Sequence, residues 1–405
     1  MKKTISLILT VWMSSSVLFA QTTNTEGSKY QFKKIVHLDA TPVQSQGQTG
    51  TCWSFSATSF FESEILRLGA KQPVVLSEMY VVRKAYEMKA DKYIRMDGKI
   101  NFGEGGAFHD VPLVIEKYGI VPYEVYTGLN GSDRYNHGAM FEELNAVVTD
   151  IVSRLGAPEG ITDDWKRKFN SMLDRGIGKD VETFEYNGTR YTPKSYAASL
   201  GLDMKNYVSL TSFTNHPMYS QCMLEIPDNW AWGMSYNVAM DDLVEVTVAA
   251  LKNGYTIAWG ADVSESGFNF RNGLAIVPAD PSMIEVQGKD DKRFNDAGAE
   301  RKSNAFLEPM KELNITQELR QQAYDNKTTT DDHGMQIVGF YQDQNGTRYF
   351  LVKNSWGTSN LPKGYLYVSE NYFRYKTINI YLHKDGIPSS VKAFAVFLTS
   401  VSNCE

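Results

Sequence analysis

The stretch Gln46-Gly47-Gln48-Thr49-Gly50-Thr51-Cys52-Trp53-Ser54-Phe55 decides how the rest of the chain is interpreted. Apolar residues after Cys52 recur at helical spacing as far as Leu68, and Gly69 then ends the pattern. We therefore predict a helix that begins at Cys52. The first backbone amides of a helix favour a thiolate over a thiol, so this position suits a nucleophile. Taken alone, the stretch would fit a buried structural cysteine better.

The chemistry of a nucleophilic thiol needs an oxyanion site and a base. Glycines before Cys52 let backbone N–H groups approach a developing oxyanion, and the Gln46 side chain could donate a second hydrogen bond. Of the six histidines, only His333 is followed at strand-and-hairpin distance by Asn354, which could fix an imidazole without adding charge. We predict that Trp356 shields this pair from water and lines the substrate site.

Together these residues resemble the papain-like cysteine peptidases, which carry the same elements in the same order. Gly103-Glu104-Gly105-Gly106 is similar to the glycine strand of that family, where Gly105 and Gly106 would pair with a substrate backbone. The resemblance implies no cofactor and no metal. It implies four catalytic residues: Gln46, Cys52, His333 and Asn354. His109, which follows a glycine segment, is a further candidate for lining the cleft.

The spacing between the site residues is similar to the spacing in one branch of that family. Ordinary papain-like chains place the histidine roughly 130–150 residues after the cysteine, and here the gap is about twice as long. Four intervening segments resemble the bleomycin hydrolase or aminopeptidase C branch: 118–122, 191–196, 215–219 and 259–263. The resemblance implies an aminopeptidase that acts on peptides through a thioester and assembles as a homohexamer.

Two departures from that branch keep other functions open. Asp331 and Asp332 precede His333, which predicts acidic charge near the cleft. Residues 386–405 do not match the carboxyl-terminal arm that meets the substrate α-ammonium in that branch. An endopeptidase with an open cleft is therefore the first alternative. A non-catalytic peptide-binding protein of the same fold is the second.

The distribution of helical and strand patterns predicts an α+β fold. Helical patterns follow Cys52 and Ser77 and cover 241–253, whereas strand patterns cover 256–260 and dominate beyond residue 333. By resemblance, a helical subdomain and a β-barrel-like subdomain would flank the active-site cleft. We expect one papain-like peptidase domain over 30–405, in which about 140–330 form a large helical insertion.

The amino-terminal segment predicts export. Lys2 and Lys3 precede an apolar run that is too short to span a bilayer and ends at Ala20, which is typical of a signal peptide over 1–20. A polar leader over 21–29 would follow. We expect a periplasmic or extracellular protein that has no membrane contact once the signal peptide is removed.

Composition excludes several other classes of protein. The chain carries 41 Lys and Arg residues against 47 Asp and Glu residues without a basic block, which argues against a nucleic-acid partner. Its three cysteines, Cys52, Cys222 and Cys404, cannot form a disulfide framework, and no Cys-x-x-Cys pair suggests zinc. At least one thiol is therefore unpaired.

Overall fold

The computed structural model describes residues 22–156, 161–288 and 299–394. The predicted signal peptide, Cys404 and the end of the chain lie outside the described residues. Ten α-helices occur in the described part: α1 (Cys52–Arg67), α2 (Glu78–Arg95), α3 (Asp110–Tyr118), α4 (Gly138–Ser153), α5 (Asp164–Ile177), α6 (Pro193–Ser199), α7 (Met240–Lys252), α8 (Gln317–Asp325), α9 (Glu370–Lys376) and α10 (Ser389–Phe394). No helix of this part is long and apolar enough to cross a membrane.

Strands occur in the first forty residues and then from residue 184 onward. Fifteen lie in the described part: β1 (Lys33–His37), β2 (Phe184–Tyr186), β3 (Thr189–Tyr191), β4 (Tyr207–Thr211), β5 (Ser220–Met223), β6 (Met234–Asn237), β7 (Ile257–Ala261), β8 (Phe268–Asn269), β9 (Leu274–Ala275), β10 (Glu285–Gln287), β11 (Glu300–Lys302), β12 (His333–Gln342), β13 (Arg348–Lys353), β14 (Tyr365–Ser369) and β15 (Thr377–His383).

One large mixed sheet organises the second half of the chain. Its strand order is β5-β6-β4-β15-β7-β12-β13-β14-β9-β8, and β1 pairs with β12 beside this path. The first part of β12 pairs with β7, and its last part pairs with β1. The fold is α+β, as predicted. The strand-rich half, however, is an open sheet rather than the barrel-like subdomain we predicted, because β5 and β8 end the path without pairing with each other.

The middle of the chain, about 140–330, mixes helices with strands. It contains most of α4 and all of α5 to α8, and it also contributes β4 to β9 to the main sheet. The apolar run at 256–260 predicted β7, and all five residues of this strand are buried. It gave no signal for β5 and β6, which are four residues long and only partly buried.

Residues 22–29, predicted as a polar leader, are folded against the sheet-rich half. Thr22 pairs with Phe32 in an isolated bridge. The buried Asn24 side chain donates hydrogen bonds to the backbone carbonyls of Asn272 and Phe306, at 2.7 and 2.9 Å. Polar groups that are buried in this way need such partners, and the contacts fix the start of the described chain.

Helix α1 lies between the helical half and the sheet and is buried on nearly all sides. Its apolar face packs into the core of the helical half, as the spacing predicted. Its serine-rich face packs on β12, where Ser59 Oγ donates to Gln336 Oε1 at 2.7 Å and Gln336 Nε2 donates to Ser63 Oγ at 2.9 Å. The polar residues of this face are therefore hydrogen-bonded core residues, although their spacing is that of an exposed face.

A buried charged cluster holds α1, α2 and β13 together. The Lys353 ammonium donates to Ser59 Oγ at 2.6 Å and to Thr41 Oγ1 at 3.1 Å. Burial raises the pKa of Glu62 to about 7, with the Lys353 charge opposing the shift. Burial and the neighbouring Glu62 raise the pKa of Glu78 to about 8. Glu78 Oε2 is buried and has no hydrogen-bond partner among the described residues.

The raised pKa of Glu78 makes stability depend on pH. An unfolded glutamate loses its proton near pH 4.5, whereas folded Glu78 keeps it to about 8, so the folded state loses relative stability as pH rises between these values. We expect Glu78→Gln to gain stability relative to the natural protein as pH rises from 5 to 9. Urea unfolding measures this, with the exposed Glu182→Gln as a control. A difference that does not change with pH would contradict the assignment.

Candidate active site

Cys52 is the first residue of α1 and lies in a pocket between the two halves of the molecule. Thr51 caps the helix through its backbone carbonyl, which accepts hydrogen bonds from the N–H groups of Ser54 and Phe55 at 2.9 and 3.3 Å. The pocket is lined on one side by Cys52 and Trp53 and on the other by His333. The structure therefore brings together the predicted nucleophile and the predicted base.

Burial controls the protonation of the Cys52 thiol. It raises the pKa of Cys52 to about 12, and hydrogen bonds from the backbone N–H groups of Gly334 and Trp53 oppose that shift. The position at the start of a helix predicted a lowered pKa, but here desolvation outweighs the helix N-terminus. Desolvation therefore favours the neutral thiol, which needs a base to become a nucleophile.

His333 begins β12 and is held in one orientation by Asn354. The ring Nε2 lies 2.7 Å from Asn354 Oδ1. The backbone N–H of Ser355 donates to the same oxygen at 2.7 Å, which identifies that atom as the acceptor. The proton of neutral His333 is therefore on Nε2, and Nδ1 is the basic nitrogen. Burial lowers the pKa of His333 to about 4, with the Asn354 hydrogen bond and the Asp332 charge opposing it.

Trp356 covers the histidine. Its ring centroid lies 4.6 Å from that of His333. Phe268 and Phe270 pack edge-on against Trp356 at 5.9 and 5.3 Å. These rings exclude water from the His333 side, as the sequence suggested. Trp356 is not among the residues that line the pocket, so its contact is with the base.

The Gln46 side chain is fixed beside Ser355. Gln46 Oε1 accepts a hydrogen bond from Ser355 Oγ at 2.6 Å, and Gln46 Nε2 donates to the Thr49 carbonyl at 2.7 Å. The backbone N–H of Gln46 also donates to the Ser355 carbonyl at 2.9 Å. One N–H of the amide is used within the loop. Gln46 is buried and is not among the residues that line the pocket, so its role as an oxyanion donor stays a prediction.

Comparison with known proteins agrees with this geometry. Residues 29–99 and 310–383 match the model of the papain family cysteine proteases. These two segments contain Cys52, His333 and Asn354, and they are similar to the papain-like cysteine peptidases. The fold of this chain is shared with the crystal structure of PepW from Lactobacillus rhamnosis HN001, with a TM-score of 0.64 and 19% identity over 89% of this chain and 84% of that one.

Two curated relatives match most of this chain. Aminopeptidase G of Lactobacillus delbrueckii subsp. lactis is 23% identical over 379 residues, which are 84% of this chain and 80% of the relative. Aminopeptidase C of Lactococcus lactis subsp. lactis is 23% identical over 392 residues, which are 86% of this chain and 82% of the relative. The matches extend through the long segment between Cys52 and His333.

The glycine segment, residues 103–106, contacts α1 directly. Glu104 links the two, because its carboxylate accepts from the Gly50 N–H at 2.7 Å and its carbonyl accepts from Trp53 Nε1 at 3.1 Å. A Cβ at Gly106 would lie 2.9 Å from the Trp53 ring. Gly106 is therefore required by packing as well as by the predicted substrate contact.

Several residues near the pocket carry no sequence signal that predicts their position. The buried Lys89 ammonium donates to the carbonyls of Gly103 and Gly105 from below the glycine segment. Asp228 lines the pocket from a loop of the second half. His109, predicted as a cleft candidate, instead packs against Gly233 and is not among the lining residues.

Acidic side chains line the pocket on the His333 side. Asp331 and Asp332 both lie there, as the sequence predicted. Asp332 Oδ2 accepts a hydrogen bond from the backbone N–H of Ser264 at 3.2 Å, and Asp262 Oδ1 accepts from the same N–H at 3.0 Å. Burial and the Asp332 carboxylate raise the pKa of Asp262 to about 8. In the described residues, no group of acidic, histidine and cysteine side chains is arranged to hold a metal ion.

The hydrogen bond between His333 and Asn354 predicts a measurable effect on Cys52. Replacing Asn354 with alanine frees the ring to rotate, which removes Nδ1 from its position as base. We expect Asn354→Ala to slow alkylation of Cys52 by iodoacetamide at pH 7 on the order of 10²-fold. The rate is measured in a Cys222→Ser, Cys404→Ser background, with the exposed Asn345→Ala as control. Equal rates would contradict the role of Asn354.

Proposed function

We propose that the protein hydrolyses peptides by thiol catalysis and releases residues from the amino terminus. The observation that carries the proposal is one pocket that holds Cys52 together with His333, whose Nε2–H is fixed by Asn354 at 2.7 Å. A nucleophile, a base and a group that orients the base are what acyl transfer requires. The aminopeptidase names of the relatives support the exopeptidase part.

The proposed reaction begins with proton transfer from the Cys52 thiol to His333 Nδ1. The sulfur then forms a bond to the substrate carbonyl carbon, and the Cys52 backbone N–H and the Gln46 amide stabilise the oxyanion. His333 gives the proton to the leaving amine, and the C–N bond breaks to leave a thioester. A water that His333 deprotonates releases the acyl product and restores the thiol.

An endopeptidase with an open cleft and a non-catalytic binding protein are the alternatives. A binding protein would not need the tautomer of a buried histidine to be fixed. An endopeptidase needs a cleft that accepts chain on both sides of the scissile bond. In this structure the Asp228 carboxylate lies against Gly105 on one side of the pocket, which favours the exopeptidase.

Hydrolysis of matched peptides tests the proposal. We expect the natural protein to cleave peptides with a free amino terminus one residue at a time, and to cleave the acetylated series much more slowly. Cys52→Ala should abolish turnover, because no other group at the site can form the thioester, and should keep the urea midpoint unchanged. Hydrolysis that survives in Cys52→Ala would exclude the mechanism, and equal cleavage of both series at internal bonds would favour the endopeptidase.

Export and assembly are further parts of the proposal. The pattern of residues 1–20 supports secretion with cleavage before Gln21, and the branch resemblance supports a homohexamer. We expect the chain expressed in a Gram-negative host to appear in the periplasm with Gln21 as its first residue. Amino-terminal sequencing of that fraction measures this. Cytoplasmic protein that begins at Met1 would contradict the export part alone.

A further inference from the structure

The loop between β5 and β6, residues 224–233, connects the sheet-rich half to the helical half across the pocket, and we name it the bridging loop. It begins at Leu224, which packs in a small apolar cluster beside the sheet. Ile226 and Asp228 then line the same pocket as Cys52 and His333. The bridging loop therefore forms part of the wall of the candidate active site.

Three contacts fix the bridging loop. Trp230 Nε1 donates to the buried Asp110 carboxylate at 2.7 Å. The Lys92 ammonium lies 3.4 Å from the centroid of the Trp232 ring, which is cation–π distance. The Asn229 side chain makes three hydrogen bonds of 2.7 to 3.0 Å to backbone groups within the loop. The loop thus has a defined path rather than a free surface position.

This path places a carboxylate against the glycine segment. A Cβ built on Gly105 would lie 1.9 Å from Asp228 Oδ2, so the carboxylate touches the backbone there. Asp228 Oδ1 accepts a hydrogen bond from Asn101 Nδ2 at 3.0 Å. The carbonyl of Gly105 already accepts from Lys89. A substrate backbone that continued along Gly105 would collide with Asp228.

The direction of the substrate follows from the positions of the catalytic groups. His333 must reach the departing amine, so the leaving part of the substrate lies on the His333 side. The acyl part then extends toward the Trp53 side of the pocket, where Gly106 packs against the Trp53 ring and Asp228 lies against Gly105. In an acyl group of one amino acid, the α-nitrogen lies about 2.4 Å from the carbonyl carbon, given the usual bond lengths. Its ammonium would therefore face this side of the pocket.

We infer that Asp228 binds the α-ammonium of the substrate and that the bridging loop stops the substrate after one residue. This inference rests on the proposed function and adds the residue that determines its specificity. Asp332 is a weaker candidate, because it precedes His333 on the leaving side and its carboxylate accepts from Ser264 and Thr330. Asp228 lies on the acyl side and is partly exposed to the pocket.

A structural role for Asp228 predicts a different result. Burial lowers the pKa of Lys89, and the charge of Asp228 opposes that shift. The role of Asp228 could therefore be only that of a counter-charge to Lys89. Loss of a counter-charge would lower stability or affect every substrate equally. Loss of an ammonium site would affect only substrates with a free α-amine. The ratio of rates for free and acetylated substrates therefore distinguishes the two roles.

Affinity labelling of Cys52 measures this ratio without requiring turnover. Phenylalanyl chloromethyl ketone is used with its α-amine free or acetylated, in the natural protein, in Asp228→Asn and in Glu225→Gln. Glu225 lies on the same loop and is exposed, so it is the matched control. We expect the natural protein and Glu225→Gln to prefer the free amine. Asp228→Asn should lose on the order of 10- to 100-fold of that preference, which is typical for a hydrogen bond to a charged group.

Each outcome has a defined meaning. A natural protein that labels equally fast with both reagents would overturn the inference even if Asp228→Asn does not fold. An unchanged preference in a folded Asp228→Asn variant would also overturn it. If neither reagent labels Cys52 in any of these variants, the proposed thiol chemistry is refuted instead. If the acetylated reagent labels Cys52 rapidly and peptides are cleaved at internal bonds, the inference is overturned. The protein would then be a thiol peptidase without specificity for a free amino terminus.

Discussion

The packing of α1 on β12 is the contact on which the rest of the structure depends. Cys52 begins the helix and His333 begins the strand, so the distance between nucleophile and base is set by how these two elements pack. Serines on the helix and Gln336 on the strand make this interface polar and directional. Directional hydrogen bonds in a buried interface oppose sliding, which a purely apolar contact would tolerate.

The same interface makes the site sensitive to buried charge. Lys353 lies at the end of β13, next to Asn354, and its ammonium donates to Ser59 on α1. The residue that orients His333 is therefore attached to the strand whose end is fixed by this charge. Glu62 and Glu78 compensate the charge only in part, because burial favours their neutral forms. Stability and catalytic geometry thus depend on one cluster.

The catalytic residues could be predicted from the sequence because each leaves a local signal. Cys52 follows glycines at a helix start, and Asn354 and Trp356 lie in a short motif one hairpin after His333. Asp228 could not be predicted, since its position depends on the pairing of β5 with β6 and on contacts of Trp230 and Trp232 with distant helices. The open sheet was missed for a related reason. Whether a short segment forms a strand depends mainly on packing against its partner strands and only weakly on its own residues.

The site is assembled from two segments that lie far apart in the chain, and this has a consequence for biosynthesis. Gln46 and Cys52 are synthesised first, whereas the base His333 and then Ser355, which holds Gln46, are synthesised much later. A nascent or truncated chain therefore carries a neutral thiol without a base and cannot cleave its neighbours. Closing so long a loop costs little more entropy than closing a shorter one, because the cost grows only with the logarithm of its length. The order of synthesis itself delays activity until both parts of the site have been made.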